Sequence, residues 1–444
     1  MVTQISVKQA GAVGQTSVGT KALIWLVVGL FFMWGGATSL NDILIPKLKG
    51  LFSLSYSEVM LTQFAFFAAY FIVSFPAGAL VGRIGYVRGL VVGLSVMALG
   101  ALLFVPAAGS GAYWPFLVAL FILAGGITIL QVASNPLITT LGDPAGASSR
   151  LTFAQAFNSL GTTIWPYVGA QLILHTVAAA DPTKLSPSEF PSLRIAEAAV
   201  VGHIYAGIAA VLALVAIIFW TRRAVLPVVR QADAGFLDSL SLLKQSRISL
   251  GALALFVYVG AEVSIGSVMV NYLEQPDTLG LSAQAAGERL SLYWGGAMVG
   301  RFVGSWLLSK IVPGKLLASA ATVAAALVFV SMASTGSLSG WSLIAVGLFN
   351  SIMFPTIFSL AVEGQGSRTP EASGLLCMAI VGGAIVPLIT GSLADKFTIA
   401  GALIVPIICY GVIALFGLYA RAPLTDRSRG LDTRGDSGLN VRQG

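Results

Sequence analysis

The chain reads as an all-α membrane protein, with twelve transmembrane helices arranged as two six-helix pseudo-repeats. Three observations predict this: twelve apolar stretches of bilayer-crossing length, landmarks that recur half a chain apart, and too little charge to cover a soluble domain. Hydrophobic residues make up 56% of the 444 and charged ones 10%, with a mean hydropathy of +0.88. Hydrocarbon, not water, must therefore face much of the surface. Pro136 and Pro355 lie 219 positions apart, Pro166 and Pro387 221, and Arg83 and Lys310 227. Parallel repeats in polytopic membrane proteins set a solute site between the halves and let them rock about it, so the doubling points to a two-bundle carrier.

A span needs roughly 20 apolar residues to cross about 30 Å of hydrocarbon. On that measure the spans are 22–46, 59–81, 89–108, 115–138, 153–178, 200–220, 248–273, 286–309, 315–333, 341–363, 373–392 and 399–420. The organisation that follows is a cytoplasmic tail (1–21), an amino-terminal bundle (22–220), a cytoplasmic linker (221–247), a carboxy-terminal bundle (248–420) and a second cytoplasmic tail (421–444). With both termini cytoplasmic, the inner tails, loops and borders hold 19 of the 25 Lys and Arg; the outer loops hold Lys47, Lys49, Lys184, Arg194, Arg289 and Lys396. That bias fits the positive-inside rule, and the opposite topology reverses it. The net charge of +7 is thus a topology signal. No outward basic stripe with interleaved aromatics accompanies it, which excludes nucleic acid as a partner.

The first twenty residues are polar, and the apolar run after them is full length without a small-residue cleavage pattern, so it reads as an uncleaved first span. The outer loop 179–198 and the tail are polar and take no assigned fold. Cys377 and Cys409 fall within spans and form no disulfide framework or CxxC pattern. His175 and His203 lack an HExxH frame or a third ligand, so no metal is expected. No GxGxxG after a strand, Walker A or GxSxG motif occurs. Neither an enzyme nor a cofactor is expected, and the energy must come from a gradient. The expected location is a bacterial inner (plasma) membrane, as a multi-pass monomer in the lipid bilayer.

Chemistry concentrates in the polar groups that hydrocarbon should exclude. An ionisable side chain inside a span costs at least about 2.5–3.5 kcal/mol on insertion scales, so each must face a partner or a wet cavity. Two acids qualify, Asp42 in GGATSLNDILIP and Glu262 in LFVYVGAEVSIGSVMVNYL. Asp42 sits toward the outer end of the first span, where an interfacial and a cavity position are both open. Glu262 has roughly a dozen mostly apolar residues on each side, which makes it the stronger candidate for cation coupling. Desolvation favours the neutral form of a carboxyl, and water or an approaching cation the charged form, so one such side chain can tie proton occupancy to conformation.

Amides form the second group: Asn41, Gln131, Asn135, Gln155, Asn158, Asn271 and Asn350. Gln131 and Asn135 share a helix face at spacing four, and Gln155 and Asn158 another at spacing three. Amides both donate and accept, which suits sugar hydroxyls, while interhelical glue is the competing role. Trp34 and Trp165 are candidates to stack on a sugar ring or, alternatively, to pack or anchor at the interface. Arg83 and Arg88, with Lys310 and Lys315, flank the loops after the second and eighth spans as gating or plain positive-inside charges. Arg301, about ten residues short of its span's cytoplasmic end, requires snorkelling or a partner, and a structural pair is the first choice.

The segments FFMWGGATSLNDILIP, FPAGALVGRIGY, ILQVASNPLITTLG, RLTFAQAFNSLGT, FVYVGAEVSIGS, GRFVGSW and FPTIFSL resemble the fucose:proton symporter family of the major facilitator superfamily across about residues 22–420. YVGAEVSIGS and LFNSIMFPTIFSL look most like its glucose/galactose branch. The resemblance implies alternating access and secondary active sugar uptake. It matches Asp42 to the family's functional aspartate and Gln155 and Asn158 to sugar-site amides. Two departures stand out: Gln131 where the fucose carrier has a functional Glu in LETAANP, and Glu262 where that carrier has Gln in YVGAQ. A carboxylate has moved from the fourth span to the seventh. The loop GRIGYVRG also has Gly82 where the superfamily commonly has an acid.

The expectation is a monosaccharide symporter for a glucose- or galactose-type hexose. A proton is favoured over sodium, because sodium needs several converging oxygens. The sugar contacts are expected from Asn41, Gln131, Asn135, Gln155, Asn158, Glu262, Asn271, Asn350 and Trp34, with Asp42 and Glu262 coupling the cation. The alternatives are a sodium-coupled hexose carrier, a carrier of L-fucose or N-acetylglucosamine in the same fold and, from a different class, a proton-driven drug exporter.

Overall fold

The structure is a computed structural model that describes residues 18–52, 54, 58, 61–174, 190–223 and 240–422. The two tails up to 17 and from 423, His175, the loop 179–189 and linker positions 224–239 lie outside the described residues.

Hydrocarbon offers no partner to a backbone N–H or C=O, so a spanning segment has to close its hydrogen bonds within itself. Every described element is accordingly helical. In the first half run α1 (Val18–Phe52), α2 (Leu61–Ile84), α3a (Tyr86–Leu102) with α3b (Phe104–Gly109), α4 (Trp114–Thr140), α5 (Ala147–Leu174) and α6 (Phe190–Thr221). The second half has α7 (Ser246–Glu274), α8 (Ala283–Leu308), α9 (Pro313–Ala333), α10a (Gly336–Asn350) with α10b (Met353–Val362), α11a (Thr369–Met378) with α11b (Gly382–Lys396), and α12a (Ile399–Ala402) with α12b (Ile404–Tyr419). Within the described residues, each expected span overlaps one of these helices or helix pairs.

Among the described residues, ten stretches are long and apolar enough to cross a membrane. The helices outside those ten are α5, which carries Arg150, Gln155 and Asn158, and α8, which carries Glu288, Arg289 and Arg301. These two polar helices pack against each other, one from each half. Arg301 of α8 meets Ser159 of α5 at this junction, whereas Arg150 turns back to the carbonyls of Ile138, Thr139 and Asp143 in its own half and Glu288 and Arg289 are exposed. The junction is extended chiefly by α2 and α4 against α11a and by α10b against α5.

The chain makes its close approaches with glycine where nothing larger fits. Gly78 of α2 meets Gly374 of α11a; a Cβ at Gly78 would lie 2.9 Å from the Pro370 carbonyl oxygen, and one at Gly374 2.7 Å from that of Ser74. At the turn from α2 to α3a, Gly85 adopts φ 84°, a conformation that L side chains rarely hold. This gives the GRIGYVRG loop a one-residue reversal.

Prolines supply the second device. A proline has no N–H for the carbonyl four residues before it, and its ring crowds that carbonyl. Pro136 is accommodated inside an unbroken α4. Its repeat partner Pro355 sits in the first turn of α10b, just after a turn at Ser351–Ile352 that separates α10a from α10b while keeping right-handed helical angles. The carbonyls so freed are those of Val132 and Ser351.

Candidate functional site

The densest polar cluster lies inside the second half, around Glu262. On α7, Tyr258 and Glu262 are four apart and share a face, and the Tyr258 hydroxyl is 2.8 Å from Glu262 Oε1. The same hydroxyl lies 3.1 Å from the carbonyl oxygen of Asn350, the last residue of α10a. The Asn350 side chain uses both ends of its amide: Nδ2 donates to the Tyr293 hydroxyl at 2.8 Å, and Oδ1 accepts from the Tyr410 hydroxyl at 2.8 Å. Tyr293 in turn donates to the Glu262 carbonyl at 3.3 Å. Tyr258, Tyr293, Tyr410 and Asn350 are fully buried, while Glu262 keeps partial exposure. The Glu262 carboxyl thus bonds Tyr258 of its own helix, beside a set that joins α7, α8, α10 and α12, and its second oxygen keeps acceptor capacity.

Arg301 of α8 is the cation that reaches the same part of α10. Its Nε donates to the freed Ser351 carbonyl at 3.3 Å, and its Nη1 reaches across the junction to the Ser159 hydroxyl of α5. The expected structural pair therefore exists, but with a hydroxyl of the opposite half.

The first half answers with amides. Gln131 of α4 donates through Nε2 to the Tyr70 hydroxyl of α2. Asn158 of α5 donates through Nδ2 to the Phe31 carbonyl of α1 at 3.1 Å, which ties α5 to α1 where Gly35 allows contact. Gln155 is buried one turn before it. Asn135 is fully buried, and neither amide atom has a partner; the hydroxyls of Ser74 and Ser134 are in the same condition.

Three sequence expectations are corrected by placement. Trp34 is 4% exposed with its ring centroid 4.6 Å from that of Phe31, so it is a packing ring and not an open stacking platform. Asn271 is exposed in the last turns of α7; nine residues from Glu262 it sits about 13 Å along the helix axis from that cluster. Asn135 stands in the core without access to solvent. Asn41 and Asp42 fall on the backbone of α1, and their side chains lie outside the described residues. Arg83 is exposed in the last turn of α2, beside the Gly85 turn. His203 is exposed on α6.

Sequence reasoning missed Tyr258, Tyr293, Tyr410, Tyr70 and Ser159. Tyr258 had a signal, the i, i+4 spacing to Glu262. The other four come from distant segments, and spacing gives no cue to them.

At the end of the bundle where α2 and α4 finish and α5 starts, the halves are closed on each other. Ser148 and Ser359 hydroxyls meet at 2.7 Å. Ser149 and Ser305 exchange bonds, each hydroxyl donating to the other's carbonyl at 2.8 and 2.9 Å. Ser373 of α11a donates to the freed Val132 carbonyl of α4 at 2.9 Å. A small-residue, hydroxyl-rich seal of this kind holds by close approach and hydrogen bonding, as is usual between membrane helices.

Residues 26–379 match the model of the Major Facilitator Superfamily. The chain is 54% identical over 391 residues to the glucose/galactose transporter of Brucella abortus (strain 9-941), covering 88% of this chain and 92% of that one. It is 36% identical over 410 residues to the L-fucose-proton symporter of Escherichia coli K12, covering 90% and 93%. The crystal structure of the transporter FucP in the outward conformation superimposes with a TM-score of 0.83 at 35% identity, covering 90% of this chain and 99% of that one. With an all-helical fold of this kind among the described residues and relatives matched over nearly their whole length, the chain belongs to the Major Facilitator Superfamily and, within it, to the family of the L-fucose-proton symporters and glucose/galactose transporters.

Proposed function

We propose that this protein is a secondary active carrier, not an enzyme, that takes up a glucose- or galactose-type hexose together with a proton. The observation that carries the reading is Glu262, a partly exposed carboxyl within a span, bonded to Tyr258 and facing Arg301. The names and identities of the relatives support the substrate class. A carboxylate can accept from two adjacent hydroxyls of a sugar at once, and such charge-assisted bonds are about twice as strong as neutral ones. Its place on α7 suits a D-hexopyranose over the 6-deoxy sugar L-fucose.

The bundles 22–220 and 248–420 rock about the site, with both termini in the cytoplasm and the chain in a bacterial inner membrane. The closed end is then cytoplasmic, and the state described is outward-facing. Sugar and proton enter from outside, the carboxyl is neutralised, and the halves close around the sugar as the serine seal parts. Asp42 serves as the second coupling acid, and no metal or organic cofactor takes part.

Uptake of labelled glucose into proteoliposomes, with imposed proton or sodium gradients, tests this directly. The expected result is accumulation driven by the proton gradient, with competition by galactose and none by L-fucose. Accumulation driven by sodium alone would replace the coupling ion, and L-fucose or N-acetylglucosamine as the best competitor would overturn the substrate.

A further inference from the structure

The repeated prolines free one carbonyl in each half, and each carbonyl is taken by a side chain that joins the halves. Ser373 donates to Val132 across the junction. Arg301 donates to Ser351 within its own half and with the same guanidinium to Ser159 in the other. The two clasps differ in what lies behind them. Behind Arg301 is a turn whose preceding carbonyl, Asn350, competes with Glu262 for the single proton of the Tyr258 hydroxyl, at 3.1 against 2.8 Å. A charged Glu262 wins that proton, since a charge-assisted bond is roughly twice as strong as a neutral one. A neutral Glu262 yields it to the Asn350 carbonyl, at the end of α10a and next to Ser351 of the turn that follows. Among the described residues, the titratable and charged groups around Glu262 are Tyr258, Tyr293, Tyr410 and Arg301.

We propose that Arg301 is a positioning residue that clasps the two halves through Ser159, and that proton occupancy of Glu262 releases this clasp through Tyr258 and the Asn350–Ile352 turn. The Ser373 clasp on Val132 takes no part in that response. The inference rests on the carrier reading but is measured without sugar. The released state is the one in which the serine seal opens.

The experiment uses the full chain in proteoliposomes, with Cys377→Ala and Cys409→Ala, and a single reporter thiol, Ser305→Cys, buried in the seal. The rate of alkylation by N-ethylmaleimide reads the population in which the seal is open. Glu262→Gln, Arg301→Gln and Ser159→Ala should each raise the rate about tenfold, the equivalent of about 1.4 kcal/mol. Adding Glu262→Gln to Arg301→Gln or to Tyr258→Phe should give no further increase, whereas adding it to Ser373→Ala should give its full increase. Arg301→Lys, which keeps the charge, should restore part of the closed population.

Additive effects of Glu262→Gln and Arg301→Gln, or unchanged labelling in Ser159→Ala, would overturn the clasp. Monodispersity in detergent separates misfolding from opening, and Ser159→Ala and Arg301→Lys test the same link with the least disturbance. Wild-type protein that accumulates no hexose would overturn the carrier reading instead, and the labelling pattern would stand or fall independently.

Discussion

The two halves of this protein repeat each other in backbone and differ in how their polar groups are satisfied. Beside Glu262, Tyr258, Tyr293, Tyr410 and both ends of Asn350 form one continuous hydrogen-bonded set, although the Thr356 hydroxyl of α10b is buried and unpartnered. Around Gln131 the set is incomplete, with Asn135, Ser134 and Ser74 buried and unpartnered. Buried polar groups are normally paired, and each exception asks for an explanation. The contrast also shows in the backbone: the proline repeat breaks α10 but leaves α4 continuous. The second half has the architecture of a held switch. The first half has spare hydrogen-bonding capacity, which a moving partner or a hydrated state can use.

The largest expected effect falls on coupling. Glu262→Gln should reduce gradient-driven accumulation of hexose to equilibration while sugar exchange persists, because the variant keeps the shape but loses the titratable group. Concentrative uptake by Glu262→Gln at the wild-type ratio would place coupling in the first half, with Asp42. The paired variant Gln131→Glu with Glu262→Gln sharpens the comparison by returning the carboxyl to the fourth span. Recovery of accumulation there would show that either half can hold it.

Next in size is the loss of sugar affinity from the amide half. Gln155→Ala and Asn158→Ala each remove a polar group whose loss in a desolvated site typically costs about 1–3 kcal/mol, or roughly 5- to 150-fold in affinity. Equilibrium binding of labelled glucose measures it. Asn158 also holds the Phe31 carbonyl of α1, so unchanged affinity with reduced thermal stability would reassign it to helix packing.

How much of this was legible in the sequence follows from the kind of signal each part leaves. Ten spans announce themselves by hydropathy, and α5 and α8 by length between loops despite their charges. Glu262 was legible because an acid amid apolar residues has few explanations, and Tyr258 was within reach by its spacing. The freed Ser351 carbonyl was implicit in Pro355, but its partner Arg301 lies 50 positions away, and no periodicity carries such a pairing. Trp34 and Asn271 were misplaced for a plain reason: residue type marks a span's polar or aromatic content, whereas which face meets lipid, core or cavity depends on how neighbouring helices pack. Asp42 and Asn41 rest on the sequence reading alone, since their side chains lie outside the described residues.

A third effect is on stability within the satisfied half. Asn350→Leu removes the acceptor of Tyr410 and the donor to Tyr293 together, leaving two buried hydroxyls short of partners. Each such loss typically costs about 1–3 kcal/mol. Thermal unfolding in detergent should show a lowered midpoint, and Asn350→Asp, which keeps an acceptor for Tyr410, a smaller drop. An unchanged midpoint for Asn350→Leu would mean that the tyrosines find other partners and that the second half is no better satisfied than the first.

The smallest expected effect sits in the unsatisfied half and is the most diagnostic of the comparison. Asn135→Leu takes away two buried polar atoms that have no partner here, and replacing an unpaired buried group by an apolar one of similar size is near neutral or stabilising. The unfolding midpoint should hold or rise. Turnover should fall at the same time, because Asn135 lies four residues beyond Gln131 and beside the Val132 carbonyl that Ser373 clasps, where the contacts of α4 change once the halves part. A variant that gains stability and loses exchange rate would show that the amide is kept for a state other than the closed one. Lower stability with unchanged turnover would show that Asn135 is bonded in the resting protein, and the asymmetry between the halves would disappear.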